Sequence, residues 1–162
     1  MKRWDQRPIE IRNLFNPAFC GLVLFRALSG FEEEDPRGMY FSLALLVLPL
    51  CLHKESREIL SRRSRSYFLK ALSDHPELAV SFSKRVNDLL PFTLEGLGFL
   101  MSLNTFSVSP SGRLRTNSIG VRKGIAGTPE TIACQRVARY LGREFAVIGS
   151  RSTVYATLGV RP

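Results

Sequence analysis

The side chains of this chain that could do chemistry are few and widely spaced. Its two histidines, His53 and His75, each lie beside a predicted helix boundary. A lone imidazole at such a place usually caps a helix or faces solvent. The acidic run 32–35 could bind a cation, but no histidine or spaced carboxylate elsewhere completes a ligand set. We therefore interpret residues 32–38 as a solvated linker and predict no metal site.

Two further segments have some features of anion-binding sites. Residues 124–128 contain two glycines but lack the lysine that follows the second glycine of a phosphate loop. Residues 150–153 precede a predicted helix whose N-terminus could hold an anion, although such hydroxyl clusters more often cap the helix. No serine lies in a nucleophile-elbow context. The sequence therefore predicts no catalytic residue, no cofactor and no enzymatic activity.

Composition and charge describe a globular protein with an acidic partner. The chain has 162 residues, enough for one domain, and is 44% apolar and 23% charged, which excludes a disordered chain. Its net charge of +9 indicates that it contacts nucleic acid or an acidic protein surface.

The cysteines indicate a reducing compartment. Cys20, Cys51 and Cys134 lie far apart in apolar surroundings and form no CxxC pair. We expect buried, reduced thiols in a cytosolic protein. No apolar segment follows the charged N-terminus, so we predict no signal peptide, no membrane association and a cytoplasmic location.

The most apolar run is 39–52, which is hydrophobic on every face. At about 14 residues it is shorter than the ~20 that a membrane span needs. We predict that it is a short, buried central helix with other helices around it. Before it, Asn16 and Pro17 are typical of a helix start, and we predict a helix over 17–29 that ends at Gly30.

The segment 76–116 predicts a winged helix-turn-helix. Pro91 is expected to end one helix and Thr93 to begin the next, over 93–103. Two alternating stretches then flank a Ser-Pro-Ser-Gly turn, which predicts a β-hairpin as the wing. In this register three apolar side chains face the core and two arginines face solvent: Phe106, Val108 and Leu114 inward, Arg113 and Arg115 outward.

A basic loop over 117–127 and two C-terminal helices complete the chain. Thr128 and Pro129 predict the start of the longer helix, and a short helix capped by Ser152 ends at Gly159. The predicted fold class is mostly α: a helical body with a winged helix-turn-helix and one short β-hairpin. The predicted single domain, 1–162, has a helical N-terminal part (1–75), the winged helix-turn-helix (76–116) and C-terminal helices (128–162).

Four stretches resemble a known family: 12–19 (Arg-Asn-Leu-Phe-Asn-Pro-Ala-Phe), 48–54 (Leu-Pro-Leu-Cys-Leu-His-Lys), 90–93 (Leu-Pro-Phe-Thr) and 152–162, which ends Leu-Gly-Val-Arg-Pro. Their order is similar to that in the middle component of bacterial three-component ABC systems, and the resemblance spans about 12–162. It implies a small winged-helix adaptor without catalytic residues. It also implies two partners, an SMC/Rad50-like ABC ATPase and an effector subunit, in a Lamassu-like defence against phages or plasmids.

Two other functions stay open from the residues alone. A DNA-binding winged-helix regulator is favoured by the charge of +9 and the wing arginines, but the expected recognition helix 93–103 has Glu95 and no Lys or Arg. An enzyme is the least supported. For nucleic-acid contact, through the complex or directly, the candidate residues are Arg113, Arg115, Arg122 and Lys123.

The C-terminal tail, 150–162, has too many apolar residues for a free segment, and a helix this short needs tertiary contacts. It either packs on its own domain or binds a partner. The candidate partner-binding residues are Arg151, Tyr155, Val160 and Arg161.

Overall fold

A long buried helix forms the centre of the fold. The structure, a computed structural model, describes residues 4–117 and 120–161. A short helix, Ile9–Leu14 (α1), precedes the central helix, Pro17–Glu34 (α2). Asn16 caps α2 as predicted, because its side-chain oxygen accepts a hydrogen bond from the backbone N–H of Ala18. The predicted end at Gly30 is wrong, since α2 continues to Glu34. Residues 32–34 are therefore the end of this helix and not part of a linker, and the turn covers only 35–38.

Glycines let two later helices pack against α2 at very short range. These helices are Phe82–Ser102 (α7) and Pro129–Ile148 (α8). A Cβ on Gly30 would lie 2.2 Å from the carbonyl oxygen of Arg139 on α8, and one on Gly21 would lie 3.1 Å from that of Gly96 on α7. Gly30 is therefore a helix-packing residue, which explains why it does not end α2.

Most of the apolar run 39–52 is buried as predicted, although Phe41 is 42% exposed, but the run is not one helix. It forms a two-residue strand, Met39–Tyr40 (β1), and two short helices, Phe41–Ala44 (α3) and Val47–Cys51 (α4). The run leaves the helical path because the backbone of β1 pairs with a later strand. Pro49 is tolerated because it lies in the first turn of α4, where a backbone N–H has no intrahelical partner. The central helix is α2 instead.

The middle of the chain contains one long helix where the sequence predicted two shorter ones. After Lys54–Arg62 (α5) and Phe68–Asp74 (α6), a 3-10 turn over Pro76–Ala79 leads into α7. Pro91 lies inside α7, so the predicted helix break there is wrong. Thr93 is a buried residue of the same helix, and its hydroxyl donates to the carbonyl oxygen of Leu89. Packing of both halves of α7 outweighs the local cost of the proline.

The predicted β-hairpin is confirmed and is part of a three-stranded sheet. Its strands, Phe106–Val108 (β2) and Arg113–Thr116 (β3), are antiparallel, and β1 pairs with the other edge of β3, with Met39 opposite Leu114. Phe106 and Leu114 face the core as expected. Val108 does not, because 52% of its surface is exposed beside the hairpin turn.

Two helices end the described chain. Thr128 caps α8 as predicted, and Gly149 ends it with a φ of 69°. The last helix, Arg151–Thr157 (α9), is capped by Ser150 rather than Ser152. Residues 118, 119 and 162 lie outside the described residues, so the predicted loop and tail are described only in part. The structure is 66% helical, which confirms the mostly-α class with a short hairpin but does not confirm a winged helix-turn-helix.

Candidate interaction surfaces

Arg113 is a buried structural residue, which contradicts its expected outward position on the wing. Its Nη1 donates to Asp35 Oδ2 at 3.2 Å and to the carbonyl oxygen of Gly38 at 2.8 Å. Its Nη2 donates to the Tyr40 hydroxyl at 2.7 Å, and the guanidinium lies 3.9 Å from the centre of that ring. Arg113 therefore joins the hairpin to the turn 35–38 and to β1, and it is too buried to offer its charge to a ligand.

The other three candidate nucleic-acid residues, Arg115, Arg122 and Lys123, are exposed. Arg115 lies on β3, whereas Arg122 and Lys123 lie in the loop 117–127. The backbone of that loop is held by buried Arg26 of α2, which donates to the carbonyl oxygens of Lys123 at 3.2 Å and Gly124 at 3.0 Å. Burial lowers the pKa of Arg26, and the nearby Arg139 lowers it further. The loop side chains thus extend from an anchored backbone, and their contact with nucleic acid stays a prediction.

The C-terminal helix packs on its own domain. Val154, Tyr155 and Leu158 are buried, and the Tyr155 hydroxyl donates to the carbonyl oxygen of Ser42 at 2.7 Å. Tyr155 is therefore not an accessible partner contact. Of the other tail candidates, Val160 is half-buried and Arg161 is exposed.

Arg151, the remaining tail candidate, begins α9 and is exposed, but it also contacts its own domain. Its guanidinium lies 4.1 Å from the centre of the Tyr40 ring, the ring that Arg113 also contacts. Tyr40 therefore has a cation against it from the hairpin and from the tail. This arrangement supports packing of the tail on the domain.

An apolar stripe runs along the outer side of α7. We define the outer stripe as Leu90, Leu94, Gly98 and Met101, whose helical spacing places them on one face. Leu94 is 47% exposed and Met101 is 52% exposed, while Leu90 is half-buried. Gly98 is exposed, and a Cβ there would meet no atom within 4 Å. Two large apolar side chains therefore flank an open, flat stretch of helix.

A basic groove lies between the α5–α6 connection and α8. It has a volume of about 780 Å³, and four arginines contribute to its lining: Arg65, Arg136, Arg139 and Arg143. Tyr67 lies at its edge and is 69% exposed. Glu144 is the one acid in the lining, and its Oε2 accepts a hydrogen bond of 2.7 Å from the backbone N–H of Phe68.

The four groove arginines differ in their partners. Arg139 pairs with Glu33 at 2.7 Å, and Arg143 pairs with Glu34 at 3.2 Å, both at the end of α2. Within the described part of the chain, the side chains of Arg65 and Arg136 make no hydrogen bond or ion pair. The lining of the groove therefore carries four positive charges, two of them in ion pairs, and one negative charge from Glu144.

The histidine and cysteine side chains described below are buried or contact residues of their own helix, and they form no cluster with acidic groups. Within residues 4–117 and 120–161, no three His, Cys, Asp or Glu side chains come together to hold a metal ion. Nδ1 of His53 lies 2.9 Å from the Ser56 hydroxyl at the start of α5, where burial lowers the pKa of the imidazole. The three cysteines are buried and free, as predicted.

One stretch, Ile9–Glu34, is long and apolar enough by length and composition to cross a membrane. Its most apolar window has a mean hydropathy of 1.4, and 56% of that window is buried within the protein. Since a core helix passes the same test, this stretch does not make the chain a membrane protein.

A family model for the ABC-three component (ABC-3C) system Middle Component 3 matches residues 4–162, nearly the whole chain. The chain belongs to this family. It is therefore a middle component of an ABC three-component system, which the sequence motifs also indicated. No curated protein matches this middle component, and no solved structure matches it.

The two surfaces of this middle component were missed by the sequence reasoning, although both left a signal. The outer stripe was divided by the predicted break at Pro91, which placed Leu90 and Leu94 on different helices. The arginines at 136, 139 and 143 recur at helical spacing, which places them on one side of α8. Only the fold shows that Arg65 approaches that side.

Proposed function

We propose that this middle component is a non-enzymatic adaptor subunit. It links an SMC/Rad50-like ABC ATPase to an effector subunit in a cytoplasmic bacterial complex that defends against phages or plasmids. Membership of the Middle Component 3 family supports a role in a multi-component assembly. The observation that carries the adaptor role is the outer stripe of α7, an apolar face that residues 4–117 and 120–161 leave exposed.

The stripe has the features of a helix-binding surface. Single exposed apolar residues are common on proteins, but an apolar stripe on one helix face is typical of a protein interface. Gly98 in the middle of α7 costs about 1 kcal/mol of helix stability relative to alanine. Because Gly98 has no side chain, a partner helix can approach the backbone there while Leu94 and Met101 pack on its sides.

The alternative function, a DNA-binding winged-helix regulator, has less support. Its expected recognition helix is the second half of the continuous helix α7. The only charged residue on that half, Glu95, is paired with Arg7. Arg113, one of the two wing arginines, is buried.

Co-purification with the other two components of the system tests the adaptor role. We expect the wild-type chain to bring down the ATPase and the effector together, and the double variant Leu94→Glu/Met101→Glu to lose at least one of them. Both residues are exposed, so the melting temperature should stay within a few degrees. Val147→Glu on α8, where Val147 is 54% exposed, is the matched control and should retain both partners.

A complex that forms normally with the double variant would contradict the role of the stripe. Failure of the wild-type chain to bind either component would contradict the adaptor function itself. Gly98→Ala gives a finer measurement. It should raise the free energy of unfolding by up to about 1 kcal/mol while weakening the complex.

A further inference from the structure

We propose that the basic groove binds a single strand of nucleic acid, with its phosphates against the arginines and a base stacked on Tyr67. This inference goes beyond the adaptor role, because it assigns a ligand to a surface that shares no residue with the outer stripe. It also moves the candidate nucleic-acid site from the hairpin to α8.

The charge of the groove selects a polyanion. Arg65 and Arg136 are exposed and have no partner among the described residues. The carboxylate of Glu144 accepts a hydrogen bond from the backbone N–H of Phe68 and forms no ion pair with either arginine, so one negative charge stands against the four arginines of the lining. Guanidinium groups bind phosphate through two parallel hydrogen bonds, which makes arginine suited to a phosphate backbone.

The arginines of α8 are arranged as a row. Arg136, Arg139 and Arg143 lie along one side of the helix, and the first and last are separated by about 10 Å at 1.5 Å per residue. Such a row follows an extended chain of negative charges rather than one compact ion. Arg139 and Arg143 are 53% and 55% exposed despite their pairs with Glu33 and Glu34. Both can therefore exchange a carboxylate for a phosphate at modest cost.

Tyr67 supplies the surface for a base. It is an exposed ring beside four arginines, and aromatic rings in a basic groove are the usual platforms for unpaired bases. The backbone that holds it is fixed through Ser66. The carbonyl oxygen of Ser66 accepts a hydrogen bond from the Tyr140 hydroxyl at 2.9 Å, and the Ser66 hydroxyl donates to the carbonyl oxygen of Arg63 at 2.8 Å. The ring is thus presented to solvent from an anchored position.

The shape of the groove favours a single strand over a duplex. Duplex DNA is read by an element that protrudes into its major groove, whereas these arginines line a concavity. An acidic protein segment would satisfy the charges, but it would not account for the exposed ring of Tyr67. A strand with unpaired bases uses both features.

Fluorescence anisotropy with a labelled 20-residue oligothymidine tests this site on the full-length chain. We expect the wild-type protein to bind it with an affinity that falls steeply with salt. Arg65→Ala/Arg136→Ala should weaken binding about tenfold or more, whereas Arg115→Ala/Arg122→Ala, which removes the same charge elsewhere, should change it less than about threefold. Tyr67→Ala should weaken binding about tenfold, and Tyr67→Phe should retain it.

A variant that should gain affinity makes the test independent of folding defects. Glu33→Gln/Glu34→Gln frees Arg139 and Arg143 from their carboxylates and should strengthen binding at least about twofold. Four results would overturn the proposal: equal losses in the two double arginine variants, no effect of Tyr67→Ala, tighter binding of a duplex of the same length, or displacement of the strand by an equal charge of polyglutamate. The last would identify the groove as a site for an acidic protein segment.

Discussion

Gly142 of α8 lies directly against the backbone of Ala27 in α2. A Cβ on Gly142 would be 2.0 Å from the Ala27 carbonyl oxygen, which is closer than real Cβ atoms approach any backbone atom. Gly30 makes the reciprocal contact on α2, against the backbone of Arg139. The two helices therefore touch backbone to backbone, and this contact holds both the core and the arginine face of α8 in place.

Gly142→Ala should destabilise the protein strongly. The added methyl group overlaps a backbone oxygen, which cannot move without separating two long helices, so we expect a loss of about 3 kcal/mol or more. Urea denaturation monitored by circular dichroism measures this. Gly98→Ala is the matched control, since nothing lies within 4 Å of its Cβ position. A Gly142→Ala protein as stable as the wild type would contradict the close helix contact.

Arg113→Ala should reduce stability, and Arg115→Ala should not. Removing Arg113 deletes hydrogen bonds to Asp35, Gly38 and Tyr40 in a buried setting, which we expect to cost about 2–3 kcal/mol. Arg115 is exposed on the same strand and serves as the control. Thermal melts of the two variants separate a structural residue from a surface one. Equal melting temperatures would mean that Arg113 faces solvent after all.

Asp35 should give the protein an acid-sensitive contact. The hydrogen-bonded guanidinium of Arg37 lowers the pKa of Asp35 from 3.8 to about 2, and the charge of Arg113 also lowers it. Because the pKa is lower in the folded state, the carboxylate stabilises the fold above about pH 4, and this contribution is lost as the pH falls towards 2. Asp35→Asn should therefore melt below the wild type at pH 6, and the difference should disappear near pH 2. A difference that is independent of pH would exclude this ionic contribution.

Deletion of residues 151–162 should unfold or strongly destabilise the domain. It removes the buried side chains of Val154, Tyr155 and Leu158 and exposes the core residues that they cover. The burial of each such side chain contributes about 1.5–3 kcal/mol to stability. The milder variant Tyr155→Phe removes only the hydrogen bond to Ser42 and should cost about 1 kcal/mol. Melting temperature and co-purification are measured together. A truncated chain that melts normally but loses its partner would show that the tail is an interface instead.

The cysteines should be unreactive in the native protein. Burial raises the pKa of Cys20 to about 12 and also raises the pKa values of the Cys51 and Cys134 thiols. A thiol-reactive reagent at pH 8 should therefore label none of them until denaturant is added, after which all three should react. Rapid labelling of native protein would contradict their burial.

Local residue types and the hydrophobic pattern were enough to predict several features of the protein. Short stretches of sequence predict the helix caps at Asn16 and Thr128 and the hairpin turn, because a cap or a turn depends on only a few neighbouring residues. Burial of most of 39–52 and of the cysteines follows from apolar composition alone. The family was also recognisable from the order of its motifs.

The tertiary structure decided the features that the sequence pattern left open or predicted wrongly. Pro91 stays inside α7 because packing along the whole helix outweighs a local break, and Gly30 continues α2 because it contacts α8. Arg113 turns inward because Asp35 and Tyr40, distant in sequence, surround its guanidinium. The basic groove likewise exists only once α8 lies beside the α5–α6 connection. Contacts between residues far apart in the chain have no local signature, so they could be read only from the folded protein.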